Sequence, residues 1–345
     1  MKNILSIAIA IILLSCGSSA PLVGVKGENV KPAPVIGSNE TNLVLPDINA
    51  MKSVSQTMAF LASDQLQGRD TGSEGIEMAA QFIEARFRAA GIQPVLETST
   101  TGRYRDNFKA NGTDAFNIVG RIEGTDPELR KEYIIIGAHY DHIGSGKPEG
   151  GDTIANGAND NAAGTTTVLA LADHFAKAKT NKRTLVFALF SAEEKGLLGS
   201  KHLADAAKTL DTDIYVMFNI EMVGVPMKGK DHLVYASGYE LSNIAEKFNA
   251  YAGENIIGFL PKAKEFNLFK RSDNYPFYQE FKIPAHTISS FDFTNYDHYH
   301  GVNDEVENMD IDFMEMLIQK LIPGIEGMAN TPTKEIKMNE NASQN

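Results

Sequence analysis

The sequence predicts an α/β domain with a mostly parallel central sheet and helices on both of its faces. Three observations lead there. Short, continuously apolar runs alternate with segments whose apolar residues recur at three- and four-residue spacing, the pattern of buried strands joined by helices. Polar clusters follow several of those runs directly, where parallel sheets gather their chemistry. A content of 43% hydrophobic and 22% charged residues over 345 positions suits a folded chain with a sizeable core and excludes disordered, collagen-like and coiled-coil classes.

Residues 1–16, MKNILSIAIAIILLSC, read as a signal peptide: one lysine, an apolar run from Ile4 to Leu14, then Ser15 and Cys16. The run is shorter than the roughly 20 apolar residues that span a bilayer. Leu13-Leu14-Ser15-Cys16 resembles the lipobox of bacterial lipoproteins. That resemblance implies an exported chain whose Cys16 carries lipid and tethers it to a membrane, facing the periplasm; the alternative is a plain secretory signal. Residues 17–47, rich in Gly, Ser, Pro, Val and Asn without periodicity, read as a flexible linker. Residues 48–330 read as one domain, and 331–345 as a polar tail with no apolar face, expected to fray.

Within the domain, helices are expected over Val54 to Leu61, Gly75 to Ala90, Ala162 to Ala178, Leu197 to Ala206, Leu241 to Ala252 and Ile311 to Met328. Strands are expected over Tyr133 to Gly137, Thr184 to Phe190, Ile214 to Ile220, Leu233 to Ala236 and Ala285 to Ile288. The formal net charge of −12 argues against a nonspecific nucleic-acid partner. The single cysteine excludes an intrachain disulfide and any cysteine-rich metal site, so a metal here needs His, Asp and Glu.

Those residue types cluster after the strands. Ala138-His139-Tyr140-Asp141-His142 follows the first, with a carboxylate two residues beyond an imidazole that it can orient. Gly157 to Gly164 places Asp160 at a helix start, where an N-cap is the plain reading. Glu193 and Glu194 follow the strand ending at Phe190, and adjacent buried carboxylates repel unless a cation or proton compensates. Glu221 follows the next strand, and Tyr299-His300 supplies a second imidazole near the end of the domain. Together His139, Asp160, Glu194, Glu221 and His300 suit two divalent ions sharing one carboxylate, and Glu193 is left as a general base. The remaining histidines, His142 and His298 among them, read as surface or structural residues. Arg271 reads as the partner either of a substrate carboxylate or of Asp273, with the structural pair favoured, and Lys195 as a first-turn lysine.

In order and wording these clusters resemble the M28 family of zinc aminopeptidases, co-catalytic metallopeptidases. The resemblance extends to Ala62-Ser63-Asp64 through Gly68-Arg69, to Thr71-Gly72-Ser73, and to Arg271-Ser272-Asp273-Asn274-Tyr275-Pro276-Phe277. It implies two Zn2+ ions, with His139 and Glu221 on one, Glu194 and His300 on the other, and Asp160 bridging. It also implies Glu193 as the base, Tyr299 as a donor to the oxyanion, Asp141 orienting His139, and peptide substrates trimmed from the N-terminus. Two departures stand out. The family commonly carries Asp where this chain has Glu221, a carboxylate that also receives the substrate amine, and a glycine-rich stretch through Gly144, Gly146, Gly150 and Gly151 is expected to loop over the site. Three rivals follow: a carboxypeptidase or dipeptidase on the same scaffold, a single-zinc glutaminyl cyclase, and a noncatalytic binding lipoprotein, which would be expected to lose part of the ligand set.

Overall fold

The computed structural model describes residues 53–95 and 104–340. The expected signal peptide, Cys16 and linker lie outside the described residues.

Helix α1 (Val54–Leu61) opens on Ser53, whose hydroxyl and Gln56 form a reciprocal capping box. After a short turn over Asp64–Arg69, α2 (Glu74–Ala90) starts at the Ser73 cap and stops at Gly91, a left-handed C-terminal residue. Three strands follow: β1 (Gln93–Pro94), β2 (Arg105–Ala110) and β3 (Thr113–Ile122). The sequence reading missed this trio, although Asn111-Gly112, both with positive φ, is a strong hairpin signal between β2 and β3. β4 (Tyr133–His139), a small ribbon of β5 (Ser145–Glu149) and β6 (Asp152–Ile154), α3 (Ala163–Ala178), β7 (Thr184–Phe190), α4 (Leu198–Thr209) and β8 (Ile214–Ile220) come next. β9 (Val234–Ala236), α5 (Ile244–Ala252), β10 (Ile257–Gly258), α6 (Pro261–Glu265), α7 (Asn274–Phe281), β11 (Ala285–Ser289) and α8 (Ile311–Asn330) complete the chain.

The main sheet runs β1-β3-β7-β4-β8-β11-β9-β10, with β2 paired on β3. Its centre, β7, β4, β8 and β11, is parallel as expected; β3 and β9 join it antiparallel, and the edge strand β10 runs parallel to β9. The central strands are buried along their whole length because both faces are covered. Side chains alternate accordingly. Ile134, Ile136, Leu185, Phe187 and Leu189 enter the larger core under α1, α2, α3, α5 and α8. Ile135, Val186, Ala188 and Phe190 enter a smaller core under α4 and α7. An irregularity at Tyr133/Ile134 shifts β8 by one residue against β4, so Tyr215 and Val216 both face the larger core.

The tail does not fray over its first ten residues. Ile336 is buried, its amide donates to the Tyr215 hydroxyl (2.8 Å), and Met338 bridges to Ser242. One apolar side chain and a few satisfied backbone groups are enough to dock a segment that lacks any periodic apolar face. Among the described residues no helix is long and apolar enough to cross a membrane.

Candidate metal centre

The loops after β4, β7 and β8 converge with two further loops at the carboxyl edge of the parallel strands. His139 is the last residue of β4, and its Nε2 lies 3.3 Å from Asp160 Oδ1. The second oxygen of Asp160 lies 3.1 Å from His300 Nε2, and His300 Nε2 is 3.3 Å from Glu194 Oε1. Ligand-capable atoms therefore fall into two groups, His139–Asp160–Glu221 and His142–Asp160–Glu194–His300, that share Asp160. All five residues expected as ligands are brought together.

His142, read from sequence as structural, joins them. It is fully buried, and its Nδ1 lies 3.0 Å from Glu194 Oε1 and 3.8 Å from Asp160 Oδ2. The signal was present as a second imidazole three residues after His139. His298 packs edge-on against Tyr296.

The loops are held by buried polar anchors. Asp141 accepts hydrogen bonds from the backbone N–H of Glu193 (3.2 Å) and Glu194 (3.3 Å), which fixes the turn carrying both glutamates. His139 Nδ1 lies 3.2 Å from the Asp141 backbone carbonyl, so the main chain rather than the carboxylate, 3.7 Å away, makes the hydrogen bond to that ring. Asp304 accepts from the amides of Asn159 (2.7 Å) and Asp160 (3.0 Å) and from the Tyr296 hydroxyl, tying the His300 loop to the Asp160 loop. Arg69, 1% exposed, donates to the carbonyls of Leu61, Tyr140, Asn156 and Gly157, joining the His139–His142 loop to the turn before Asp160. Ala192, Met222 and His300 adopt positive φ beside or within the cluster, a conformation that L-residues hold only when their surroundings impose it.

The electrostatics are those of a site built around missing positive charge. Burial would raise the Asp160 carboxyl, but the imidazoles of His139 and His300 outweigh it and hold it well below the usual carboxylate range. Burial, with Glu221, Asp273 and Glu194 nearby, pushes Glu193 well above its ordinary value against the pull of His139. Burial also raises Glu221 to about 7. His300 is pushed up to about 10, because Asp160 and Glu194 overcome the effect of burial. Nε2 of His139 and of His300 is buried with no hydrogen-bond partner, and the donors are nitrogen and carboxylate oxygen, the set that zinc takes. The residues present fit a divalent metal.

A family model for peptidase family M28 matches residues 117–322, more than half of the chain. The chain belongs to peptidase family M28. A probable zinc metalloprotease of Pyrenophora teres f. teres is 32% identical over 214 residues, covering 56% of this chain and 44% of the relative, so the chain spans about half the length of such relatives. A zinc aminopeptidase of Bacillus subtilis shares the fold at a TM-score of 0.60 and 15% identity, over 84% of this chain and 98% of that one. A glutaminyl cyclase of Porphyromonas gingivalis shares it equally, at 0.60 and 16%, over 80% and 97%.

In this M28 chain a cleft opens beside the cluster, with Asp160, Glu193 and Glu221 on its floor. Met222, Leu268, Phe291 and Phe293 supply apolar lining, and Tyr299 stands at its edge, 44% exposed and stacked on His300 at 3.9 Å. Ser272 donates a hydrogen bond to Glu221, which directs that carboxylate. Two expectations fail here. Arg271 does not pair with Asp273: Asp273 is wholly buried, whereas Arg271 is exposed on the cleft wall. The glycine-rich stretch contributes none of the cleft lining; it forms the β5–β6 ribbon, packed at Gly146 against Val302. Lys195 is tied to Asp70 at 2.8 Å.

Proposed function

We propose that this chain is an exported di-zinc aminopeptidase that removes N-terminal residues from peptides. The observation that carries the reading is the division of Asp160, one oxygen toward His139 and the other toward His300, in the floor of a partly apolar cleft. His139, Asp160 and Glu221 would hold one zinc ion, and Asp160, Glu194 and His300 the other. When bound, the ions supply Lewis-acid chemistry that activates water and polarises a carbonyl. Glu193, on the floor and with a raised proton affinity, accepts the proton of the attacking water and delivers it to the leaving amine. Tyr299 donates its hydroxyl to the developing oxyanion. Glu221, held by Ser272, receives the free amine of the substrate. The apolar lining accepts the first side chain. Lipid on Cys16 would place the domain at a bacterial membrane facing the periplasm.

One observation favours a second reading on the same scaffold. Arg271, on the cleft wall and not tied to Asp273, offers a cation to a substrate carboxylate, as a carboxypeptidase or dipeptidase requires. Hydrolysis of matched free and N-acetylated peptides, with and without chelator and beside Glu193→Gln, separates the two. Aminopeptidase activity predicts release from free peptides only, abolished by chelator and reduced about 10²–10⁴-fold by the substitution. Cleavage of blocked peptides, or release from the C-terminus, refutes it.

A further inference from the structure

The five-residue ligand set leaves His142 without a task, yet its position is as constrained as theirs. Four donor atoms at one metal ion in a tetrahedron, each about 2.0–2.1 Å from it, stand about 3.3–3.4 Å from one another. In the second group the edges are 3.0 Å and 3.8 Å from His142 Nδ1 to Glu194 and Asp160. Those from His300 Nε2 to Glu194 and Asp160 are 3.3 Å and 3.1 Å. His142 thus sits at a spacing from Glu194 and Asp160 comparable to that of the histidine already assigned there, somewhat closer to Glu194 and farther from Asp160. Its ring faces that of His300 nearly edge-on, 5.5 Å away, so the two imidazoles approach from different directions.

The surroundings hold it there. A Cβ at position 157 would lie 2.6 Å from the His142 ring, so Gly157 leaves the ring its place, and the His142 amide donates to the Arg69 carbonyl. A purely structural buried histidine in this protein looks different. His286, equally enclosed, pairs one ring nitrogen with the Ser237 carbonyl (2.8 Å) and the other with the Ser242 hydroxyl (2.7 Å). Among the described residues, the ion-pair contacts of His142 are with Glu194 and Asp160, and its Nε2 has no hydrogen-bond partner.

We propose that His142 is a fourth protein ligand beside Asp160, Glu194 and His300, and that it makes the two metal positions unequal. This rests on the di-zinc reading above. A position with four protein ligands is closed and retains its ion; one with three, as at His139, Asp160 and Glu221, keeps a vacancy for substrate and exchanges its ion more readily. The alternative is that His142 only donates a hydrogen bond to Glu194, and the two need opposite protonation of Nδ1.

The test uses the full chain stripped with chelator and titrated with Zn2+ by calorimetry, beside His142→Ala and His142→Asn. Asparagine can keep an N–H toward Glu194 but its amide nitrogen does not ligate zinc. Wild type is expected to take two equivalents, the first at least about tenfold tighter. Both variants are expected to lose at least about 100-fold in that first affinity, beyond the span typical of an orienting partner. X-ray absorption on wild type at one equivalent should count two imidazoles on the metal, which needs neither variant to fold. A count of one, or His142→Asn within threefold of wild type, overturns the proposal. Two equivalents with unchanged affinities in both variants would refute the role of His142 and leave the di-zinc reading standing. A single equivalent bearing two imidazoles would refute the di-zinc reading and leave His142 a ligand.

Discussion

Arg69 offers a direct way to ask what holds the metal cluster together. Its guanidinium is buried and donates to four carbonyls, two of them, Asn156 and Gly157, in the turn that leads to Asp160, and one, Tyr140, in the loop carrying His139 and His142. Four charge-assisted bonds at about 1.5–2 kcal/mol each sum to roughly 6–8 kcal/mol. Burying the charge costs about 3 kcal/mol, the size implied by depression of its pKa from 12.5 to about 10, where burial outweighs the carboxylates around it. Arg69→Met should therefore lose about 3–5 kcal/mol, since it leaves the buried carbonyls of Leu61, Tyr140 and Asn156 without that donor, while Gly157 keeps the Ala162 amide. Arg69→Lys keeps the charge but not the planar fork, and should lose about half as much. The assay is urea unfolding of the zinc-free protein, which removes stabilisation by bound metal from the comparison, followed by calorimetric zinc titration of whichever variant folds. Zinc affinity should fall at least about tenfold, because the two loops lose their common tie. If Arg69→Met unfolds within about 1 kcal/mol of wild type, or either variant binds zinc as tightly as wild type, the reasoning fails.

Acid stability should report on His286. Burial drives its pKa down from 6.5 to about 4, so the folded state resists its protonation; it costs nothing above pH 6.5 and progressively more as pH falls toward 4, about 3 kcal/mol in all. His286→Gln should show a shallower loss of stability over that window in pH-dependent urea unfolding, and an unchanged slope would contradict the account. Zinc uptake at pH 7 should release protons, because His139 and His300 are held protonated in the metal-free site by their carboxylate neighbours. Calorimetric enthalpies that do not vary with the ionisation heat of the buffer would count against this. Tyr299→Phe should lower kcat about 10²–10³-fold with little change in KM or bound zinc, if the hydroxyl acts on the oxyanion. A proportional loss of zinc would instead make the ring's stacking on His300 its role.

The sequence by itself determined the parallel centre of the sheet and the helices that cover it, because both rest on local periodicity. Thr184–Phe190 and Ile214–Ile220 are apolar throughout, and α1 and α3 carry their apolar stripes and boundaries in plain view. It also pointed to the five residues that meet, since His139, Glu194 and Glu221 stand at or just after strand ends, Asp160 at a helix start, and His300 in the order of the M28 pattern. The tertiary structure decided what depends on distance across the chain. β2 and β3 carry polar residues at their exposed positions, and they join the sheet through the pairing of β3 with β7, which no local run of apolar residues announces. Ile336 stands in a polar tail, and only its place in the larger core, with its amide on the Tyr215 hydroxyl, buries it. Arg271 and Asp273 are two residues apart, yet one is on the cleft wall and the other sealed beneath it. His142 differs from His298 by no local feature. What separates them is the meeting of loops some 50 and 160 residues apart, which brings Glu194 and His300 to the first, whereas the second packs on its near neighbour Tyr296. Periodicity is a property of neighbours in sequence, whereas a metal site is a property of neighbours in space.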